Sequence, residues 1–264
     1  MIKKYLVIGN PIEHSLSPQL HNYWIKNNNI SAIYEKKKLE VNDLKNVILR
    51  IKEKEIQGIN VTVPFKKKII PFIDKLSVES ENTQSVNTVF LDNDKIIGHN
   101  TDIDGFELSM KEIKFNLYNK KVFILGAGGV VPSIIYALNK MKVSKIFISN
   151  RTRDNAENLR DLFIDLNIVD WGDTPDFDMV INATSLGLKK EDKINIDFSS
   201  VGQNKLFYDI IYNPRETNFL SIGKKLGNIT ENGKLMFIYQ AHSAFNIWHN
   251  VKPEINDEVL KLLE

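Results

Sequence analysis

The sequence predicts an α/β protein of two domains, each built on a mostly parallel, doubly wound sheet. Three observations predict it. Short β-branched runs alternate with longer helix-period segments through the first hundred residues. A second alternation of the same kind begins at Lys121, and a turn-rich Asp92-Asn93-Asp94 marks a hairpin at the close of the first series. At 264 residues the chain is long enough for each domain to bury its own core.

In chain order, the first series reads as a strand over Tyr5 to Ile8, a helix after Pro18, a strand over Ala32 to Glu35, a helix over Asn42 to Lys54 and a strand over Ile59 to Val63. Val86 to Phe90 and Ile96 to His99 flank the turn as a hairpin, and a helix from about Asp104 to Lys114 leads out. The second series reads as a strand over Val122 to Leu125, a helix to Met141, a strand over Ile146 to Ser149, a helix over Thr152 to Leu166, and strands over Met179 to Ile181 and Leu206 to Ile211. After Gly233 the pattern is helical to Asn250, and Pro253 is expected to open a last helix ending near Leu263. The boundary falls near residue 103. Residues 1–103 are expected to form the first domain and 104–236 the second, with 237–264 returning to the first as C-terminal helices.

The composition narrows the chemistry. Hydrophobic residues at 42% and charged ones at 26% are ordinary for a folded protein. The net charge of +2 comes from lysines spread along the chain, so there is no nucleic-acid footprint and a small molecule is the expected partner. With no cysteine there is no disulfide framework, thiolate nucleophile or cysteine-ligated metal, and no histidine has metal spacing, so no metal is expected. The apolar stretch after Lys3 and Lys4 is too short for a signal peptide. The uncharged run from Val122 to Leu138 is broken by Gly126, Gly128, Gly129, Pro132 and Ser133, which suits strand, turn and helix better than a membrane span. A cytoplasmic protein is expected, as monomer or homodimer.

The segment Lys121-Val-Phe-Ile-Leu-Gly126-Ala127-Gly128-Gly129-Val130 puts glycines at a strand-to-helix turn, where backbone N–H groups and a helix N-terminus can face a pyrophosphate. This is a Rossmann-type signal, although Val131 stands where its third glycine is usual. About twenty residues on, where an NAD enzyme would carry a carboxylate, the chain has Asn150-Arg151-Thr152-Arg153. A guanidinium takes a phosphate in a bidentate fork, so Arg151, with Asn150, Thr152 and Arg153, is expected to bind the 2′-phosphate of NADP. The plainer reading is a solvated helix start capped by Thr152. Asn182-Ala-Thr184-Ser185-Leu-Gly187 is a further small polar turn after an apolar strand.

In the first half, Gly9-Asn-Pro11-Ile-Glu-His14-Ser15-Leu-Ser17-Pro18 brings two hydroxyls to a helix start, where Ser17 also reads as a helix cap. Gly58-Ile-Asn60-Val-Thr62-Val-Pro64-Phe-Lys66 ends a strand in polar residues and a lysine; Asn87-Thr88 and Asn100-Thr101-Asp102 do likewise. Polar groups at strand ends are where binding groups sit. Lys66 to Lys68 also reads as a solvated helix start. His14 reads as a structural or supporting residue, and Trp24, Trp171 and Trp248 as packing.

With Asp209-Ile-Ile-Tyr212-Asn-Pro214-Arg-Glu-Thr217, Gly233-Lys-Leu-Met236, Gln240-Ala241 and Phe245 in order behind these motifs, the chain resembles the shikimate dehydrogenase family from Gly9 to its end. The resemblance implies reversible reduction of 3-dehydroshikimate to shikimate with NADPH, on the route to chorismate and the aromatic amino acids. It implies that Ser15, Ser17, Thr62, Asn87, Asp102, Tyr212 and Gln240 hold the substrate and that Lys66 is the acid/base, with Asp102 as its partner. It also implies that Gly126 to Val130, Asn150 to Thr152, Ile210 and Gly233 contact the cofactor. The residue types agree, because a hydroxylated ring with a carboxylate needs many short hydrogen-bonding side chains. Gln84-Ser85 stands where the family usually has Gly-Ala, and Asn155 where many relatives carry a second basic residue. Two other readings are a quinate/shikimate paralogue with relaxed cofactor use and a catalytically silent NADP-binding regulator. The presence of Lys66 and Asp102 disfavours the regulator.

Overall fold

In the computed structural model, which describes residues 2–263, the chain divides into two compact units, Met1–Gly105 with Ile238–Glu264, and Phe106–Phe237. The first unit opens with β1 (Lys3–Gly9), α1 (Ser17–Asn27) and β2 (Ala32–Lys38), followed by a 3-10 turn at Val41–Asp43, α2 (Leu44–Lys52) and β3 (Gly58–Val61). A short β4 (Lys75–Leu76), α3 (Val78–Thr83), β5 (Thr88–Asp92), β6 (Lys95–His99) and α4 (Asp102–Ile113) follow. The strands form one sheet in the order β2-β1-β3-β5-β6-β4. β1 pairs in parallel with β2 and β3, whereas β5 is antiparallel to both β3 and β6. Asn93 and Asp94, both at positive φ, turn the β5–β6 hairpin at the predicted tripeptide.

All four residues of β3 are buried, so its sequence is apolar throughout except Asn60, whereas β2 at the sheet edge buries Tyr34 alone. Leu44, Val47, Ile48 and Ile51 put a helix-period stripe of α2 onto the sheet, against Ile8, Ile59 and Val89. The C-terminal α8 (Lys234–His249) and α9 (Asp257–Lys261) complete the elements. Gly58 is a point of close approach, since a Cβ there would meet the Trp248 indole nitrogen at 2.5 Å.

The second unit contains β7 (Lys121–Leu125), α5 (Val131–Lys140), β8 (Lys145–Ser149), α6 (Arg153–Glu157), β9 (Leu166–Ile168), β10 (Met179–Asn182), β11 (Leu206–Asp209), α7 (Asn218–Lys225) and β12 (Ile229–Glu231). Its strands run β12-β11-β10-β7-β8-β9, all parallel. This is the doubly wound Rossmann order, with the switch point between β7 and β10. Phe123, Phe177, Phe198, Phe207 and Phe219 dominate one layer of its core, and Trp171 packs half-buried against it.

Four expectations need correction. The helix expected over Thr152 to Leu166 ends at Glu157, continues as a 3-10 turn to Asp161, and Leu166 enters β9 instead, because pairing with Ile146 of β8 claims it. α9 starts at Asp257 behind an Asn256 cap that accepts from Val259 N, so Pro253 lies in the preceding extended segment. The long helix expected from Asn42 begins as the 3-10 turn and becomes α-helical only at Leu44. Ser17 is not a cap: it is the first residue of α1, Leu16 holds the cap position without a side-chain bond, and the Ser17 hydroxyl is left for other partners. α3, α7, β4 and β12 have no counterpart in the sequence reading. Among the described residues no helix is long and apolar enough to cross a membrane.

Candidate active site

In the first unit, parallel β1, β3 and β6 end at the same edge of the sheet where antiparallel β5 begins. Four chain segments deliver polar side chains there: Ser15 and Ser17 after β1, Thr62 and Lys66 after β3, Asn87 before β5, and Asn100 to Asp102 after β6. The Lys66 ammonium donates to Asp102 Oδ2 at 2.5 Å, and the two side chains are only 11% and 8% exposed. The solvated reading of Lys66 to Lys68 thus holds for Lys67 and Lys68, which are exposed, but not for Lys66. A pair this buried must be fully hydrogen-bonded to persist. Asp102 Oδ1 accepts from Asn87 Nδ2 at 2.9 Å, and Asp102 N donates to Asn100 Oδ1 at 3.1 Å.

Behind this pair lies a buried polar network. Asn87 Oδ1 accepts from Thr88 Oγ1 (2.9 Å) and Thr101 N (2.8 Å). Asn60 Nδ2 donates to the Asn87 carbonyl and to Thr88 Oγ1, both at 3.1 Å, while its Oδ1 accepts from the Tyr34 phenol at 2.6 Å. Asn100 Nδ2 reaches the Ser85 carbonyl at 3.1 Å and Thr83 Oγ1 at 3.0 Å, which fixes the loop carrying Gln84-Ser85. Gln84 takes the left-handed conformation at φ 47°, where a glycine would be unstrained. On the other side Ser15 Oγ donates to Ser17 Oγ at 3.2 Å. Thr62 N donates to the Ile8 carbonyl, holding that residue beside the end of β1. His14 is exposed. Gln240 belongs to this unit, half-buried in α8.

In the second unit the loop after β7 has Gly126 at φ +106°, and a Cβ there would lie 2.8 Å from the Ala183 carbonyl oxygen, so glycine is required. At Gly128 the nearest atom is 3.9 Å from where a Cβ would be, which leaves bare backbone facing open space. Val130 caps α5, and Pro132 fits its first turn. Val131, in place of the third glycine, is fully buried as core.

After β8, Arg151 is exposed and makes no ion pair among the described residues, whereas Arg153 is held by Glu157 and Asp170. Thr152 stands at the cap position of α6 without a side-chain bond, while Asn150 Nδ2 bonds the Thr152 carbonyl at 2.7 Å and shapes the loop. Ile210 N donates to the Asn182 carbonyl and Gly233 N to the Ile211 carbonyl. Tyr212 packs on Phe237 with ring centroids 4.5 Å apart. Asp209, absent from the sequence reading of the site, ties this edge together: it accepts from Thr217 Oγ1 (2.6 Å), Ile211 N (3.0 Å) and Asn182 Nδ2 (3.1 Å). Burial pushes its carboxyl up to about 6 against the pull of those donors.

The residues present fit a pyrophosphate and an adenosine 2′-phosphate: a glycine turn with exposed backbone at the switch point, and a guanidinium without a carboxylate partner at the end of β8. Among the described residues no group of three or more His, Asp and Glu is placed to hold a metal ion. The sequence reading placed Asn60 and Thr88 in the polar strand-end motifs without giving either a role, and did not name Tyr34. The signal for Asn60 was present, as a lone polar residue inside an apolar strand that must find a partner; a strand tyrosine carries no such signal.

Residues 7–89 match the family described as the shikimate dehydrogenase substrate binding domain, and residues 107–218 that described as shikimate / quinate 5-dehydrogenase. A shikimate dehydrogenase (NADP(+)) of Pelagibacter ubique is 56% identical over 264 residues, covering 100% of both chains. A shikimate dehydrogenase solved in complex with NADP+ is 32% identical with a TM-score of 0.92, over 99% of this chain and 94% of that one. A Listeria monocytogenes shikimate 5-dehydrogenase, solved in complex with shikimate and NAD, is 28% identical with a TM-score of 0.91, over 99% and 96%. The motifs, the two sheets and these likenesses along the whole chain agree, and the chain belongs to the shikimate dehydrogenase family.

Proposed function

We propose that the protein interconverts 3-dehydroshikimate and shikimate with NADP(H), in the pathway to chorismate and the aromatic amino acids. The observation that carries this reading is the buried Lys66–Asp102 pair at the strand ends of the first unit, backed by a hydrogen-bonded network of Asn and Thr side chains. When bound, NADPH supplies the hydride. Negative charge then develops on the ketone oxygen, and Lys66 gives it a proton; in the oxidative direction Lys66 takes the hydroxyl proton back. Asp102 steadies the ammonium, and Asn87 fixes Asp102, so the pair needs no rearrangement as charge moves.

Ser15, Ser17, Thr62, Asn87, Tyr212 and Gln240 hold the ring hydroxyls and carboxylate by short hydrogen bonds. Gly126 to Val130 receive the pyrophosphate, and Arg151 with Asn150 and Thr152 the 2′-phosphate, with Ile210 and Gly233 beside the nicotinamide half. Arg153, engaged by two carboxylates, supports this loop instead of competing for the phosphate. The experiment is turnover, read as reduced nicotinamide absorbance, with shikimate or quinate and NADP or NAD. Turnover with shikimate and NADP alone supports the reading, comparable quinate or NAD turnover moves it to the paralogue, and silence in all four pairs overturns it.

A further inference from the structure

We propose that Tyr34 is a positioning residue of the active site, whose phenol anchors the carboxamide network around Asp102 and thereby fixes the Lys66–Asp102 pair. This rests on the proton-transfer role proposed for that pair.

The polarity of the network can be assigned from one fixed point. The Asn87 backbone carbonyl can only accept, so the Asn60 amide must face it with Nδ2, which leaves Oδ1 toward Tyr34 and obliges the phenol to donate. Onward from Asn60, Nδ2 donates to Thr88 Oγ1, Thr88 donates to Asn87 Oδ1, and Asn87 Nδ2 donates to Asp102 Oδ1. Every donor from Tyr34 to Asn87 therefore points the same way and the chain ends on the carboxylate that holds Lys66. Aligned bonds of this kind polarise one another, and each sets the orientation of the next side-chain amide.

Tyr34 is the link with a mount of its own. It is the sole buried side chain of β2. Its ring stacks on His21 at 4.1 Å and 4°, and its backbone N and O are both bonded by the Asn22 side chain. A phenol needed only to fill the core could discharge its hydroxyl on any carbonyl, whereas this one donates to the Asn60 side chain. Without the hydroxyl, Asn60 Oδ1 loses the one side-chain donor it has among the described residues, and the amide and the Thr88 proton behind it are free to reorient.

The test compares the wild type with Tyr34→Phe, Thr88→Val and the double variant. Tyr34→Phe keeps the ring and its stacking. Two readouts are taken: kcat and KM for shikimate oxidation across pH, and the pH midpoint for acetylation of Lys66 followed by mass spectrometry, which needs no turnover. Expected are a kcat lower by about ten- to a hundredfold with KM for NADP unchanged, a displaced Lys66 midpoint, and a double variant no worse than the more damaged single one, since both cut one chain. A wild-type kcat together with a wild-type Lys66 midpoint in Tyr34→Phe overturns the proposal, as do losses that multiply in the double variant or a collapse of thermal stability that accounts for the loss. If the wild type does not oxidise shikimate yet the Lys66 midpoint moves in Tyr34→Phe, the positioning stands and the proposed reaction falls.

Discussion

Acidification should weaken the first unit through His21, by an amount the structure lets one work out. The imidazole is 1% exposed, neither ring nitrogen has a hydrogen-bond partner among the described residues, and its neighbours are the rings of Trp24, Tyr34, Phe245 and Trp248. An imidazolium there has neither water nor an acceptor, so burial pushes its pKa down to about 3, with His249 opposing the charge further. Above the ordinary histidine pKa of about 6.5 both folded and unfolded chains hold it neutral, and it contributes nothing to the pH dependence.

As the pH falls through that value the unfolded chain takes a proton the folded one refuses, so stability is lost progressively until the folded pKa is reached. At about pH 5 the separation is about 1.5 pH units, or about 2 kcal/mol. His249, pushed down to about 4 by burial and by Lys3, acts in the same direction, more weakly because it is partly wetted. The assay is urea unfolding of the wild type and His21→Phe at about pH 7.5 and pH 5. The Phe variant, which keeps the stacked ring, should lose about 2 kcal/mol less on acidification. Equal losses in the two proteins would refute the argument.

Three further outcomes are expected. Lys66→Met should lower kcat for shikimate oxidation by about 10² to 10⁴; a raised KM with kcat intact would mean that Lys66 binds substrate without moving the proton. Arg151→Ala should raise KM for NADP by about ten- to a hundredfold through lost charge-assisted bonds and leave NAD nearly unaffected, and an equal change for both cofactors would remove Arg151 from the 2′-phosphate. Gly58→Ala, whose new methyl would meet the Trp248 indole at 2.5 Å, should cost about 1–3 kcal/mol in urea unfolding, and unchanged stability would show that the indole moves aside freely.

Legibility in the sequence followed how local the cause was. Lys121 to Leu125 with Gly126 behind it could be read directly, because a buried parallel strand is continuously apolar and the turn after it needs a residue at positive φ. Leu159, Phe163 and Leu166 fit helical spacing equally well, and only the pairing of Leu166 with Ile146 decides for a strand. That cause lies twenty residues away and is tertiary. β12 was missed for the same reason, since a three-residue edge strand has little pattern of its own. At the site, Ser15, Ser17, Lys66, Asn87 and Asp102 were visible as polar residues at strand ends. Tyr34 and Asp209 were not, because an aromatic inside a strand and an acid at its end look like core and surface until their partners are placed.

The first unit is assembled from both ends of the sequence, with the whole of Phe106–Phe237 between its parts. During synthesis, therefore, β1 to β6 leave the ribosome first, yet the notch at Gly58 stays unfilled and His21 lacks two of its covering rings until Phe245 and Trp248 have emerged. The second unit is contiguous and all its strands precede Ile238, so it can close while the first is still unfinished. The part of the chain that begins translation is then the last to become native, and its exposed apolar strands are the ones a nascent-chain chaperone would have to shield.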